Sequence, residues 1–138
     1  MDGGCIMDEI KEIKNQTKTA PLDFKIHLKL SKTEACFGLG VARLLLLVEE
    51  TGSLNMAAGK MNMAYSKANK IVKNAEKHLG FKLLTRRIGG VNGGGSELTW
   101  EGKILTHRFM AFQKEAYEMS RQLFQKYFID FLNDHEEV

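Results

Sequence analysis

The sequence predicts a mainly α-helical chain with one small β-hairpin, and three observations support that prediction. Apolar residues recur at helical spacing in three successive segments between Val41 and Leu79. A strand-like segment and a glycine-rich stretch follow these segments, and an uninterrupted helical pattern then runs towards the C-terminus. This order is typical of a winged helix-turn-helix followed by a long C-terminal dimerisation helix.

Composition and charge indicate a soluble globular protein with an anionic partner. The 138 residues are 43% hydrophobic and 27% charged, which suits one domain with a core, or a small domain plus an appendage. Between Ser53 and Arg108 there are ten basic and three acidic residues, whereas the remainder of the chain has an acidic balance. Nucleic acid is the first candidate partner for this basic middle, and a solvated lysine-rich surface is the alternative.

Cysteine and histidine usage predicts neither a metal site nor a disulfide. Cys5 and Cys36 are far apart in sequence, and we expect free thiols in a reducing cytoplasm. The histidines show no metal-ligand spacing, and neither a nucleophile–base pair nor a carboxylate pair stands out, so we expect no cofactor and no enzyme. No secretory signal and no run long enough to span a bilayer is visible, which favours a cytoplasmic location without a membrane partner.

Three regions are predicted along the chain. Residues 1–21 form an N-terminal extension, either a short helix or disordered; residues 22–103 form the winged helix-turn-helix; and residues 104–138 form the C-terminal dimerisation helix. The second region opens with strict alternation of apolar and polar residues from Phe24 to Leu30. This period of two predicts a half-buried strand, with His27 on its polar face.

The three helical segments that follow have recognisable ends. Gly52 is expected just past the first helix, and Ser53 is expected to cap the second. The third helix, from about Ala64 to Leu79, has an apolar arc formed by Ala64, Ala68, Ile71, Val72, Ala75 and Leu79. Its opposite face carries lysine, asparagine and serine without an acid, which is the pattern of a DNA-recognition helix.

The glycine-rich stretch from Gly89 to Gly95 has three candidate roles: a phosphate-binding loop, a flexible linker or a hairpin tip. A phosphate loop of the P-loop kind ends in Gly-Lys-Ser/Thr, but here Gly95 is followed by Ser96-Glu97. Strand-like residues 81–88 and 96–99 flank the glycines and can pair across a short tip, which argues against a linker. The stretch is therefore interpreted as the tip of a hairpin, the wing of a winged helix.

Together these motifs closely resemble the N-terminal domain of ModE-type molybdate-responsive regulators. The resemblance covers about residues 24–105 and is most specific in the wing, from Gly89 to Gly102; the helix-turn-helix portion alone would also suit LysR-type regulators. Its other elements are Gly52-Ser53-Leu54, Met63-Ala64-Tyr65, and a Phe37-Gly38-Leu39-Gly40 turn similar to the family's segment before helix one.

The resemblance implies a transcriptional repressor or activator that dimerises through helices flanking its DNA-binding unit. Ala64 and Asn69 stand where the family usually has Ser and Trp, so a different operator preference is expected. The family's C-terminal molybdate-binding module has no counterpart in this sequence, and direct molybdate binding is therefore not expected.

The predicted function is sequence-specific binding of double-stranded DNA by a homodimer, with the third helix in the major groove and the wing on the backbone or minor groove. Asparagine can pair with adenine, and lysine with guanine. The alternative is a winged-helix interaction or assembly module without specific DNA binding. The candidate DNA-binding residues are Ser53, Tyr65, Ser66, Lys67, Asn69, Lys70, Lys73, Lys77, Arg86, Arg87 and Asn92.

The final helix is predicted from the cap residue Thr99 to about Asn133. One end of it should cover the winged domain, and the rest should pair with a second subunit. After Leu123 the register of the apolar seam slips, and an aromatic patch follows. The proposed dimerisation seam is Leu105, Phe109, Phe112, Ala116, Met119, Leu123 and Tyr127.

Overall fold

The computed structural model describes residues 20–87 and 95–136, and it confirms a mainly helical chain with a small antiparallel wing. In chain order the elements are β1 (Lys29–Ser31), β2 (Ala35–Gly38), α1 (Leu39–Thr51), α2 (Leu54–Lys60), α3 (Tyr65–Leu79), β3 (Leu84–Arg86), β4 (Ser96–Leu98) and α4 (Trp100–Phe124). A π-helical turn (Gln125–Ile129) joins α4 to α5 (Asp130–Glu136).

The strands form two separate antiparallel hairpins. In the first, Leu30 of β1 lies opposite Phe37 of β2; in the second, the wing, Thr85 of β3 lies opposite Glu97 of β4. The predicted turn from Phe37 to Gly40 is wrong, because β2 runs to Gly38 and α1 begins at Leu39. Strand β2 therefore leads into the first helix without an intervening loop.

The strand predicted from Phe24 to Leu30 is wrong over most of its length, because ladder pairing begins only at Lys29. The alternation nevertheless reports burial correctly: Phe24, Ile26 and Leu28 are half-buried, and the residues between them, including His27, are exposed. An extended segment that packs one side against the protein shows the same period as a strand. Residues 20–28 are called the arm below.

The predicted helix ends of the helix-turn-helix are confirmed. Gly52 adopts the left-handed conformation (φ 73°) after α1, and Gly80 does the same (φ 86°) after α3. The Ser53 hydroxyl accepts a hydrogen bond of 3.1 Å from the backbone N–H of Met56, which caps α2. Ala64, predicted within the apolar arc, is instead exposed, because it is the extended N-cap residue of α3 and does not share the helical phase.

The core lies where α1, α2 and α3 meet the two hairpins and the first turns of α4. Phe37 of β2 and Phe109 of α4 pack edge to face with ring centroids 5.3 Å apart, which ties the N-terminal hairpin to the last helix. The largest fully enclosed apolar side chains are Phe37, Leu44, Leu45, Val48, Leu54 and Leu83. These contacts fix the relative positions of α3 and the wing.

Helix α4 begins in tight contact with the wing. The Thr99 hydroxyl accepts a hydrogen bond of 2.9 Å from Gly102 N–H, as predicted for a cap, and donates one of 2.6 Å to the Lys82 carbonyl. A Cβ on Gly102 would lie 2.4 Å from the Leu83 carbonyl oxygen. Only glycine therefore allows this approach of the helix to the wing.

Beyond its first turns, α4 projects an apolar stripe away from the winged domain. Phe109 is buried against that domain and Leu105 packs on its core, whereas Met119 is 66% exposed. Ala116 is half-buried, and the remaining seam residues Phe112, Leu123 and Tyr127 are exposed. The seam thus divides as predicted into an end that covers the domain and a longer uncovered part.

The arm packs against the distal half of α4. The Phe24 ring stacks on Tyr117 at 5.6 Å and lies 5.1 Å from the ring of Phe124, and Arg121 lies over both the Phe24 and Tyr117 rings. Asp23 forms an ion pair of 2.9 Å with Arg121. The backbone N–H of Phe24 and the Arg121 guanidinium hold the pKa of Asp23 below its usual value.

In residues 20–87 and 95–136, no helix is long and apolar enough to cross a membrane.

Candidate nucleic-acid interface

Helix α3 has one buried face and one exposed basic face. Ala68, Val72 and Ala75 are buried in the core. The outward side chains of Ser66, Lys67, Lys70, Lys73 and Lys77 are all exposed. Within the described part of the chain, none of these four lysines forms an ion pair with an acidic side chain. Their charge is therefore uncompensated and available to an anionic partner.

The one acidic residue of α3, Glu76, faces the wing. Its carboxylate accepts hydrogen bonds from the backbone N–H groups of Leu83, at 2.7 Å, and Leu84, at 3.3 Å. The two peptide groups at the start of β3 are thereby satisfied by a charged acceptor. This contact keeps the carboxylate off the lysine face and attaches the wing to α3.

The N-terminal hairpin holds the other end of α3. Lys32 Nζ donates a hydrogen bond of 3.2 Å to the Leu79 carbonyl, which places a cation at the negative end of the helix dipole. His78 lies 3.3 Å from the Glu34 carboxylate, and its Nδ1 lies 2.9 Å from the Asn74 carbonyl oxygen. The polar contacts of this hairpin with α3 thus involve the last turns of the helix and leave its N-terminal half free.

The two wing arginines differ in their partners. Arg86 donates a hydrogen bond to Asn69 Oδ1, and its guanidinium lies 5.9 Å from the centroid of the Tyr65 ring. Arg87 instead forms an ion pair of 3.3 Å with Glu97 on the neighbouring strand. Arg86 therefore joins the wing to the exposed side of α3, while the charge of Arg87 is partly compensated within the wing.

The base of the wing is also attached to the turn before α2. Ser96 N–H donates a hydrogen bond of 2.9 Å to the Gly52 carbonyl, and a Cβ on Gly95 would lie 2.9 Å from the same oxygen. An open groove of about 440 Å³ lies beside this contact, between the turn, α3 and the wing. The groove is lined by Ser53, Leu54, Asn55, Tyr65, Arg86, Arg87, Gly95 and Ser96.

Most of the candidate DNA-binding residues lie on one continuous surface formed by α3, the turn before α2 and the base of the wing. Four of them have hydrogen-bond or ion-pair partners inside the protein: Ser53 caps α2, Asn69 and Arg86 bind each other, and Arg87 pairs with Glu97. Asn92 and the predicted wing tip lie outside the described residues. The candidates on the surface are Ser53, Tyr65, Ser66, Lys67, Asn69, Lys70, Lys73, Lys77, Arg86 and Arg87.

Sequence reasoning missed two exposed polar residues at this surface. Asn55 lines the groove beside Tyr65, and Lys82 lies with Lys73 and Arg86 along the cleft between α3 and β3. The position of Asn55 just inside a capped helix of a helix-turn-helix was an available signal. Lys82 gave no such signal, because its position beside α3 depends on how the wing folds back.

Residues 39–103 match the family model of the bacterial regulatory helix-turn-helix protein, lysR family. The matched segment resembles a LysR-type helix-turn-helix domain. It runs from the start of α1 to the start of α4 and so contains α3, the wing and the groove between them. This match supports a winged-helix transcription regulator.

Among solved structures, the chain is similar to Lactococcus lactis ZitR. A glutamate-to-alanine mutant has 12% identity and a TM-score of 0.49, with 96% of this chain and 91% of that chain covered. A cysteine-to-serine mutant has 13% identity and a TM-score of 0.49, with 98% and 93% covered. The same mutant in complex with DNA has 14% identity and a TM-score of 0.49, with 99% and 97% covered. A comparison with curated protein sequences found no match.

Proposed function

We propose that the protein is a transcriptional regulator that binds double-stranded DNA sequence-specifically as a homodimer. The observation that carries this proposal is the acid-free outer face of α3, whose four lysines form no ion pair in the described residues and continue into Arg86 of the wing. An uncompensated row of cations on a helix of this kind suits the phosphate-lined major groove of DNA. The match to a regulatory helix-turn-helix domain supports the same function.

In the proposed complex, the N-terminal half of α3 enters the major groove. Ser66, Lys67 and Lys70 are nearest the bases, and lysine can bind the O6 and N7 acceptors of guanine. Tyr65 lies at the groove edge, while Lys73 and Lys77 contact phosphates further along the helix. The wing, with Arg86, Arg87 and Asn92, approaches the sugar–phosphate backbone or the minor groove.

The dimer in this proposal forms through residues 104–138, leaving residues 22–103 as the DNA-binding unit. Helix α4 of a second copy packs against the uncovered stripe of α4, which includes Phe112, Met119 and Leu123. A two-fold axis through this contact places two copies of α3 about 34 Å apart, in successive major grooves of a palindromic site. The wing motif leads us to infer a DNA-binding unit of the ModE type within the winged regulators.

Selection of the purified full chain against a random duplex library at near-physiological salt tests this function. Enrichment of an inverted repeat is the expected result. Retention of duplexes without a common motif would contradict sequence specificity and indicate backbone affinity alone. No retention at all would overturn the proposal and favour a winged-helix interaction module.

A further inference from the structure

Asn69, Arg86 and Tyr65 form a small cluster that bridges α3 and the wing. Asn69 is half-buried, whereas Tyr65 and Arg86 are exposed, so the cluster lies at the protein surface beside the groove. The Arg86 guanidinium is fixed from two sides, by a hydrogen bond from its Nη2 to Asn69 and by the face of the Tyr65 ring. Such contacts limit the orientations available to an otherwise flexible side chain.

The chemistry of this hydrogen bond bears on what Asn69 can do. A guanidinium has only donors, so the Asn69 atom that it contacts must be the carbonyl oxygen Oδ1. An asparagine that reads adenine uses its oxygen and its amide together, one for N6 and one for N7. Because Oδ1 already accepts from Arg86, a two-point contact with adenine would require this oxygen to accept a second hydrogen bond in the plane of the base.

We propose that Asn69 is a positioning residue that holds the Arg86 guanidinium at the mouth of the groove, where Arg86 binds a DNA phosphate. The inference rests on the proposed DNA-binding function and assigns different roles to two residues of that site. Arg86 uses one N–H on Asn69 and keeps other donors of its planar fork for a phosphate, which it can contact through two parallel hydrogen bonds. Asn69 acts through Arg86 and reads no base.

The neighbouring Arg87 provides an internal comparison. Its guanidinium forms an ion pair of 3.3 Å with the Glu97 carboxylate of the neighbouring wing strand. Arg86 has no acidic partner among the described residues. Of the two arginines, Arg86 therefore brings the larger uncompensated charge to DNA.

The test compares Asn69→Ala, Arg86→Ala and the double variant of the full chain on a duplex obtained from the library selection. Arg86→Ala is expected to weaken binding at least about tenfold and to reduce the slope of log K against log salt by about 0.9. Asn69→Ala should weaken binding by a smaller factor, because the charge remains but is less well placed. The double variant should bind within about twofold of Arg86→Ala alone, since Asn69 acts through Arg86.

Two comparison variants and a specificity measurement complete the test. Arg87→Ala should cost less affinity than Arg86→Ala, and Lys114→Ala, an exposed change on α4, should leave binding unchanged. Each single base-pair change in the duplex should weaken DNA binding by the same factor for Asn69→Ala as for the unsubstituted protein. Thermal unfolding midpoints of all variants verify that the surface changes leave the fold intact.

The possible failures are distinguishable. The positioning role would be overturned if the affinity losses of the two single variants multiply in the double variant. It would also be overturned if Asn69→Ala relaxes the base preference at one position. DNA binding itself would stand in both cases. Absence of duplex binding by the unsubstituted protein would overturn the proposed function and this inference together.

Discussion

Gly102 is the residue at which the last helix touches the wing. Replacing it with alanine places a methyl group 2.4 Å from the Leu83 carbonyl oxygen, a backbone atom that cannot rotate away. We expect Gly102→Ala to lower the free energy of unfolding by about 1–3 kcal/mol, the usual effect of overpacking. Chemical denaturation followed by circular dichroism measures this change.

Gly59 provides the matched control for that substitution. It lies within α2, and a Cβ added there has no atom within 4 Å. Gly59→Ala should therefore stabilise the protein by roughly 0.5–1 kcal/mol through helix propensity. Equal effects at the two glycines would contradict the contact between α4 and the wing.

The lysines of α3 make the clearest electrostatic prediction at the residue scale. Lys70→Ala combined with Lys73→Ala should reduce the slope of log K against log salt by about 0.9 for each phosphate that the protein no longer neutralises. Fluorescence anisotropy with a labelled duplex at several salt concentrations measures the slope. Lys114→Ala, on the exposed surface of α4, serves as the control for loss of a lysine outside the DNA-binding surface. An unchanged slope in the double variant would remove α3 from the DNA interface.

Residue identity and helical phase were sufficient to predict which side chains of α3 point outward, but not which of them have partners. The amphipathic pattern identified the lysine face, and the caps Ser53 and Thr99 were predicted from local chemistry. Asn69 binds Arg86, 17 residues further along the chain, and Glu76 binds Leu83, 7 residues further along, and both contacts depend on tertiary structure. A single sequence contains no periodic signal for such pairs.

At the scale of elements, the contact between the arm and α4 predicts a pH effect. The pKa of Asp23 is lowered in the folded protein by the Phe24 N–H and by Arg121. A lowered pKa means that the contact contributes its full stabilisation above the unfolded value of 3.8 and loses it as the pH falls through the lower folded value. The arm should therefore loosen only in acid, below the pH at which a free aspartate titrates.

The Phe24 amide resonance is a direct probe of that change, because this N–H donates a hydrogen bond of 2.8 Å to Asp23 Oδ1. Its chemical shift should titrate with a midpoint below pH 3.8 in the unsubstituted protein and stay flat in Asp23→Asn. A midpoint at or above 3.8 would contradict the ion pair with Arg121.

Element boundaries were predicted best where a specific residue ends the element. Gly52 ended α1 as expected, because left-handed backbone favours glycine, and Gly80 ends α3 in the same conformation. The arm was mistaken for a strand because alternating burial does not reveal whether a hydrogen-bonded neighbour is present. Its real neighbour is the side of a helix distant in sequence, and local pattern cannot identify that neighbour.

At the scale of the whole molecule, the uncovered stripe of α4 predicts self-association. Met119→Glu combined with Leu123→Glu changes exposed residues only, so it should leave the fold intact while placing charges in the proposed dimer contact. Sedimentation should show monomers, with weakened affinity for a palindromic duplex. Lys114→Glu, also exposed on α4 but outside the seam, should leave the dimer unchanged.

Truncation after Phe112 removes most of the same stripe and should also give monomers. A dimer that persists in the glutamate double variant or in the truncated protein would show that the seam is misassigned.

The π-helical turn at Gln125–Ile129 coincides with the place where the apolar seam slips. A π-helical turn has the geometry of an α-helix that has taken up one extra residue within a turn, so the residues beyond it keep the phase that they would have without that residue. In an unbroken α-helix Phe131 would lie about 80° around the axis from Leu123, and the π-helical turn brings it back to the side of Leu123. The slip in the sequence is thus taken up by the backbone, and the apolar stripe of α4 continues into α5 on the same side of the helix.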